Sequence, residues 1–133
     1  MLDLRLDLTG AFDTTFGTGG SVQSNFPSSA THASQAMAVK PDGSGRIVTA
    51  GFAYAGHKQN AGVARMSGAD GSRDATFEGS SGAGAGLVSF PASAAYPDAV
   101  RAIAFQGDGG IILAGVSAVS GSAYGGFIAR LKP

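Results

Sequence analysis

FDTTFGTGG, residues 12–20, returns further along the chain as RDATFEGSSG, residues 73–82. Each copy carries Asp, one intervening residue, Thr and Phe, then glycines whose number and spacing drift. A phosphate cradle needs its glycines at fixed positions, and neither copy is followed by Lys-Ser or Lys-Thr. Asp two residues before Thr suits a turn in which the carboxylate accepts the backbone N–H two positions on. The phrase is therefore read as a connector between consecutive units, planting one phenylalanine, Phe16 or Phe77, in the core of each.

Three further phrases recur in the same order. An arginine-centred strand appears as LRLDL around Arg5, GVARMS around Arg65 and FIARLKP around Arg130. A short apolar stretch ends in Phe-Pro: SVQSNFP at 21–27 and GLVSFP at 86–91. The last phrase is strand, Asp-Gly turn, strand: AMAVKPDGSGRIVTAG at 36–51 and VRAIAFQGDGGIILAG at 100–115. Offsets run from 60 (Arg5 to Arg65) to 66 (Asp42 to Asp108), and Ser44 and Gly45 are read as two extra residues in the first turn. Several phrases in one order establish a tandem repeat, of about 5–64 and 65–130 within a single domain, 1–133.

Period-two alternation in MAVKPDG and AIAFQGDG predicts half-buried strands. RIVTAGF and GIILAGV are short and β-branched, as inner strands are. Asp42-Gly43 and Asp108-Gly109 predict hairpin turns. No segment carries helical periodicity over ten residues. Each repeat thus predicts four short antiparallel strands, with an extra N-terminal strand and roughly nine in all. The expected fold is all-β: two four-stranded propeller-like blades plus that extra strand, the alternative being a small β-sandwich.

The phrases ARMSGADGSRDATFEG, VRAIAFQGDGGIILAG and GGFIARL resemble the bacterial delta-60 repeat, a β-propeller-type repeat. The matching positions are Ala64, Arg65, Asp70, Gly71, Asp74, Phe77, Asp108, Gly109, Ile111, Ala114 and Gly115. In the other copy they are Arg5, Asp13, Phe16, Gly17, Asp42, Gly43, Ile47, Ala50 and Gly51. The chain departs from the pattern at Glu78, and at Gly107, where Pro41 stands in the other copy. The resemblance covers nearly the whole chain. It implies a propeller fold, a bacterial source and an extracytoplasmic or cell-surface setting, and brings no catalytic residue set.

Two blades are too few for a ring, since propellers use about four to eight. The expected partner is the chain itself, a homotrimer or homotetramer closing a ring. A piece of a longer propeller, excised or engineered, is the alternative origin.

Composition narrows the function classes. Of 133 residues 22 are Gly, and only 14% are charged, with a formal net charge of zero. No basic surface is therefore expected for nucleic acid or anionic lipid. No apolar run approaches the ~20 residues of a helical membrane span, so no membrane insertion is expected. MLDLRLDLTG alternates apolar and charged residues and is not a signal peptide. The absence of Cys removes disulfides and thiolate chemistry.

Arg5, Arg65 and Arg130 recur at one strand position, so each is expected to tie its strand to a nearby aspartate or to turn carbonyls rather than to bind an anion. Asp13 and Asp74 are read as turn formers, as are Asp42 and Asp108. A Ca²⁺ site on Asp70, Asp74 and Glu78 is the sharper alternative, but DGSRDATFE lacks the alternating acidic pattern of a calcium loop. No metal or cofactor is expected. His32 and His57 lie in loops of one copy without an evident Asp or Ser partner. Phe52, Tyr54, Tyr96 and Tyr124 are placed in or near loops, where exposed rings suit a carbohydrate or protein ligand. The reading is a non-enzymatic binding or scaffold module built from several chains. The enzyme alternative, glycoside hydrolysis between chains, would need paired carboxylates such as Glu78 and Asp98.

Overall fold

The structure, a computed structural model, describes residues 1–26, 35–41, 45–55, 58–77, 86–93, 97–120 and 122–132. Within them lie nine strands and no helix: β1 (Leu2–Leu4), β2 (Ser21–Gln23), β3 (Gln35–Pro41), β4 (Arg46–Ala55), β5 (Lys58–Ser67), β6 (Leu87–Phe90), β7 (Asp98–Phe105), β8 (Ile111–Ala118) and β9 (Tyr124–Leu131). They form three antiparallel sheets, none closed, in the orders β1-β2, β3-β4-β5-β6 and β7-β8-β9.

The expected pair of four-stranded blades is thereby corrected to one complete sheet between a two-stranded and a three-stranded one. The reason lies in the Asp-x-Thr-Phe loop. Arg65 donates its backbone N–H to Gly86 O at 2.8 Å, and Asp74 donates its own to Arg65 O at 3.1 Å. The loop therefore folds back on the strand it leaves and delivers β6 to that strand's edge. Arg5, Gly20 and Asp13 repeat this at 3.0 and 2.9 Å between β1 and β2. The phrase joins neighbouring strands of one sheet; it does not connect successive units.

The hairpins differ from expectation in one detail. Pro41 pairs with Ile47 and Phe105 with Ile111, so both connections have the same length and neither holds extra residues. Gly45 (φ +83°) stands where Gly109 (φ +82°) does, and the Asp-Gly dipeptide simply sits two positions earlier in the first hairpin. The same break in pairing also recurs, between Ala36 and Ala38 in β3 and between Val100 and Ala102 in β7.

Alternation along the strands gives each sheet two faces. On the central sheet the front face carries Val48, Ala50, Ala61 and Val63; the back face carries Ile47, Ala53, Ala64 and Met66. The front face packs on Val100, Ile111 and Leu113 of the three-stranded sheet, with Phe77 and Val88 completing that core. The back face packs on Met1, Phe16 and Val22 of the two-stranded sheet, joined by Phe26 and Leu87. Thr49 on the same back face donates its hydroxyl to Asp3 Oδ1 at 2.8 Å. Asp3 in β1 and Met1 just before it hold front positions, as Val63 and Ala61 do on β5. Two interfaces of one kind, front against back, thus follow one another along the chain.

Candidate functional site

The most elaborate side-chain constellation of the described residues occurs twice. In the first copy Arg5 Nε donates to Asp13 Oδ2 at 2.9 Å and Arg5 Nη2 to Thr15 Oγ1 at 2.7 Å. Asp13 Oδ1 accepts the Thr15 N–H at 3.0 Å and its hydroxyl at 2.6 Å. The guanidinium lies 4.8 Å from the centre of the Phe16 ring. In the second copy Arg65 Nε donates to Asp74 Oδ2 at 2.8 Å and Nη2 to Thr76 Oγ1 at 3.2 Å. Asp74 Oδ1 accepts from Thr76 N–H and hydroxyl at 2.9 and 2.6 Å, and Arg65 lies 4.5 Å from the Phe77 ring centre.

Each partner needs the others. The aspartate closes an Asx turn and presents its second oxygen to the guanidinium. The arginine's flat face then covers a buried ring, combining a cation–π contact with apolar packing. Phe16 is 1% and Phe77 5% exposed, so each plugs the front face of its own sheet.

The copies differ in their surroundings. The Asp74 side chain is 9% exposed and its Oδ2 also receives Arg46 Nε at 2.8 Å. Asp13 is 29% exposed. Arg5 uses Nη1 to reach the carbonyls of Gly68 and Ala69 in the turn after β5, binding the two-stranded sheet to the central one. Both carboxyls are held below the ordinary aspartate range, first by the threonine hydroxyl and then by other partners that include the arginine. Sequence reasoning did not single out Arg46. Its signal is positional: it shares the front face of β4 with Val48, whose register partner on β5 is Arg65.

Arg130 stands at the third such position but has other partners. It donates to Gln106 Oε1 and Asp108 Oδ2, both at 2.5 Å and both on the hairpin turn of its own sheet. Asp108 is held below its ordinary range chiefly by the Gly110 N–H. No third Asp-x-Thr-Phe phrase follows Arg130 within residues 1–133, and among the described residues β9 pairs with β8 alone.

The remaining candidates do not converge. Phe52 and Tyr54 lie within β4, not in loops, where alternation puts both on the front face and their rings meet edge-to-face at 5.9 Å. Tyr124 opens β9 and is 75% exposed. Tyr96, His32, His57, Asp42 and Glu78 lie outside the described residues. Asp70 accepts the Ser72 N–H and hydroxyl at 3.0 and 2.8 Å, and these bonds, with the Ser67 hydroxyl, hold it at about 2. Asp70 and Asp74 are thus both engaged by their own turns. Among the described residues no three His, Cys, Asp or Glu side chains gather at metal-binding distance.

Asp98 is fully buried. Its Oδ2 accepts the Ala92 and Ser93 N–H groups at 2.9 and 3.1 Å, and its backbone carbonyl accepts Gln59 Nε2 at 3.2 Å. Lys58 Nζ donates to the Ser93 carbonyl. These bonds fasten the segment after β6 to the three-stranded sheet. What the recurrent constellations do chemically is hold strands and rings in place. No protein-family model matches the chain, and neither a curated protein nor a solved structure does.

Proposed function

We propose that the chain is a non-enzymatic β-propeller-type binding or structural scaffold module, completed when identical chains associate into a closed ring of three or four. One observation carries this reading. The internal front-to-back interface occurs twice, and its two halves are left uncovered at the ends of the row. On the two-stranded sheet the back positions Leu2, Leu4 and Leu6 are 60%, 55% and 55% exposed. Their repeat equivalents on β5 are Gly62, Ala64 and Met66, and of these Ala64 and Met66 are each 1% exposed. On the three-stranded sheet the front position Ile128 is 81% exposed, while its equivalent Val63 is fully buried.

Exposed apolar faces of this kind mark association surfaces. Because front and back are different surfaces, their contact is heterologous, and only a ring ends it without forming a filament. The resemblance to the delta-60 repeat supports the same architecture. The repeated Arg-Asp-Thr-Phe sets are spent on internal ties, which supports a scaffold over a catalyst. Light scattering on the purified chain tests this. The expected mass is three or four times 13.1 kDa; a monomer at every concentration up to the millimolar range overturns it.

A further inference from the structure

Arg130, its strand and the edge beside it have a counterpart elsewhere in the same molecule, where Arg5 and β1 stand. Both other arginines of the series sit on a strand whose edge carries a second strand, delivered by an Asp-x-Thr-Phe loop. β9 lacks that neighbour among the described residues. By equivalence with Arg65, whose N–H bonds Gly86 O, the Arg130 N–H points outward along this open edge. The chain also contains a loop and strand held by a minimal partner. Among the described residues β2 pairs with β1 over three residues, with bridges from Gly17 and Thr18 to Ser21, and β1 and its flank expose Leu2, Leu4 and Leu6. β1 and β9 match position for position: Leu4 with Ala129, Arg5 with Arg130, Leu6 with Leu131.

We propose that β9 of one copy takes the place of β1 on a second copy, and that Arg130 replaces Arg5 on Asp13, Thr15 and Phe16 there. The result is a four-stranded blade shared between chains, β7-β8-β9 from one and β2 from the other. Each chain then contributes two complete blades. The exchange gives up the exposed contacts of Arg130 with Gln106 and Asp108, and exposed ion pairs contribute little; on the second copy it also gives up the burial of Met1, the Asp3–Thr49 hydrogen bond and the Arg5 bonds to the Gly68 and Ala69 carbonyls. In return it gives β9 an edge partner, which it lacks among the described residues, and closes that edge to unspecific pairing. It also lays Ile128 against the second copy's central sheet, where Asp3 now lies. The occupant is a second copy because the loop that fits Arg130 is one this chain carries. The inference rests on the self-assembly proposed above, and specifies how the chains join.

The chain has no cysteine, which makes the test clean. Leu4 faces Ser21, between pairs bonded through Arg5 N–H to Gly20 O and Ser24 N–H to Met1 O. It is therefore a non-hydrogen-bonded pair, with Cα atoms about 4.5 Å apart, close enough for a disulfide. In the exchanged blade Ala129 faces Ser21 of the second copy. The double variant Ser21→Cys with Ala129→Cys, oxidised, is expected to give covalent multimers that reduction dissolves; either single variant alone is not. Ser21→Cys with Leu4→Cys locks β1 in place, and oxidation should then weaken assembly at least tenfold, with recovery on reduction. If the wild type assembles but the first variant stays uncrosslinked and the locked one still associates, exchange is overturned while end-to-end stacking, and the scaffold reading, survive. If the wild type is monomeric, both fall.

Discussion

Asp74 shows how much one side chain carries when every lone pair is used. Thr76 holds one oxygen, and Arg65 and Arg46 share the other. Asp74→Ala leaves two guanidiniums facing each other beside a buried ring, and the expected loss is about 3 kcal/mol. Asp13→Ala removes one half-exposed ion pair and an Asx turn, and should cost clearly less. Urea titration of the two variants checks the order; equal losses would contradict it. The pH dependence has a definite sign. Asp13, Asp74 and Asp108 bind protons more weakly in the folded chain than in the unfolded one. Stability present above about pH 4, the ordinary aspartate value, is therefore lost as pH falls through the folded values. Asp70, at about 2, marks the low end of that window. Asp3 works the other way: burial raises its carboxyl against the Thr49 hydrogen bond, so its protonation favours the fold. The thermal midpoint should fall between pH 4 and pH 2, less steeply in Asp74→Asn; a midpoint that rises over that range contradicts the account.

At the scale of elements, the Asp-x-Thr-Phe loop depends on a glycine at its far end, which closes the first phrase and lies beyond the second. Gly86 (φ +75°) gives its carbonyl to Arg65, as Gly20 (φ +87°) does to Arg5. A Cβ at Gly86 would lie 2.9 Å from Arg73 Cβ and 3.0 Å from Arg65 O. Gly86→Ala therefore meets both a left-handed backbone and a hard contact, and should cost about 1–3 kcal/mol. Gly107→Ala meets nothing within 4 Å and should stay within about 0.5 kcal/mol of wild type. Thermal melts of the two proteins separate these outcomes, and a neutral Gly86→Ala would show that the loop needs no left-handed residue there. The strands themselves were legible in the alternation of MAVKPDG and AIAFQGDG and in the short β-branched runs RIVTAGF and GIILAGV. The hairpin lengths were not, because Asp-Gly marks where a turn is favoured while cross-strand pairing sets where it closes.

For the whole molecule, Val63 and Ile128 hold one repeat position in two environments. Val63→Asp places an unpaired charge in the core between the central and three-stranded sheets and should unfold the chain, by loss of its β-sheet circular dichroism. If the chain self-assembles as proposed, Ile128→Asp should leave that spectrum intact and lower the association constant at least tenfold in sedimentation. An Ile128→Asp chain that assembles like wild type would remove that face from the interface. The sequence by itself determined that the protein is all-β, that its strands recur in order, and that Arg, Asp and Phe return together. Those properties are local: alternation, turn chemistry and spacing act over a few residues. Only the tertiary structure decided the partition into two, four and three strands, the place of Phe52 and Tyr54 within β4, and which repeat positions are left bare. Strand partners and face coverage depend on which long-range pairings are most stable together and on what lies across them. Identical residues in two copies therefore say nothing about whether a neighbour covers them.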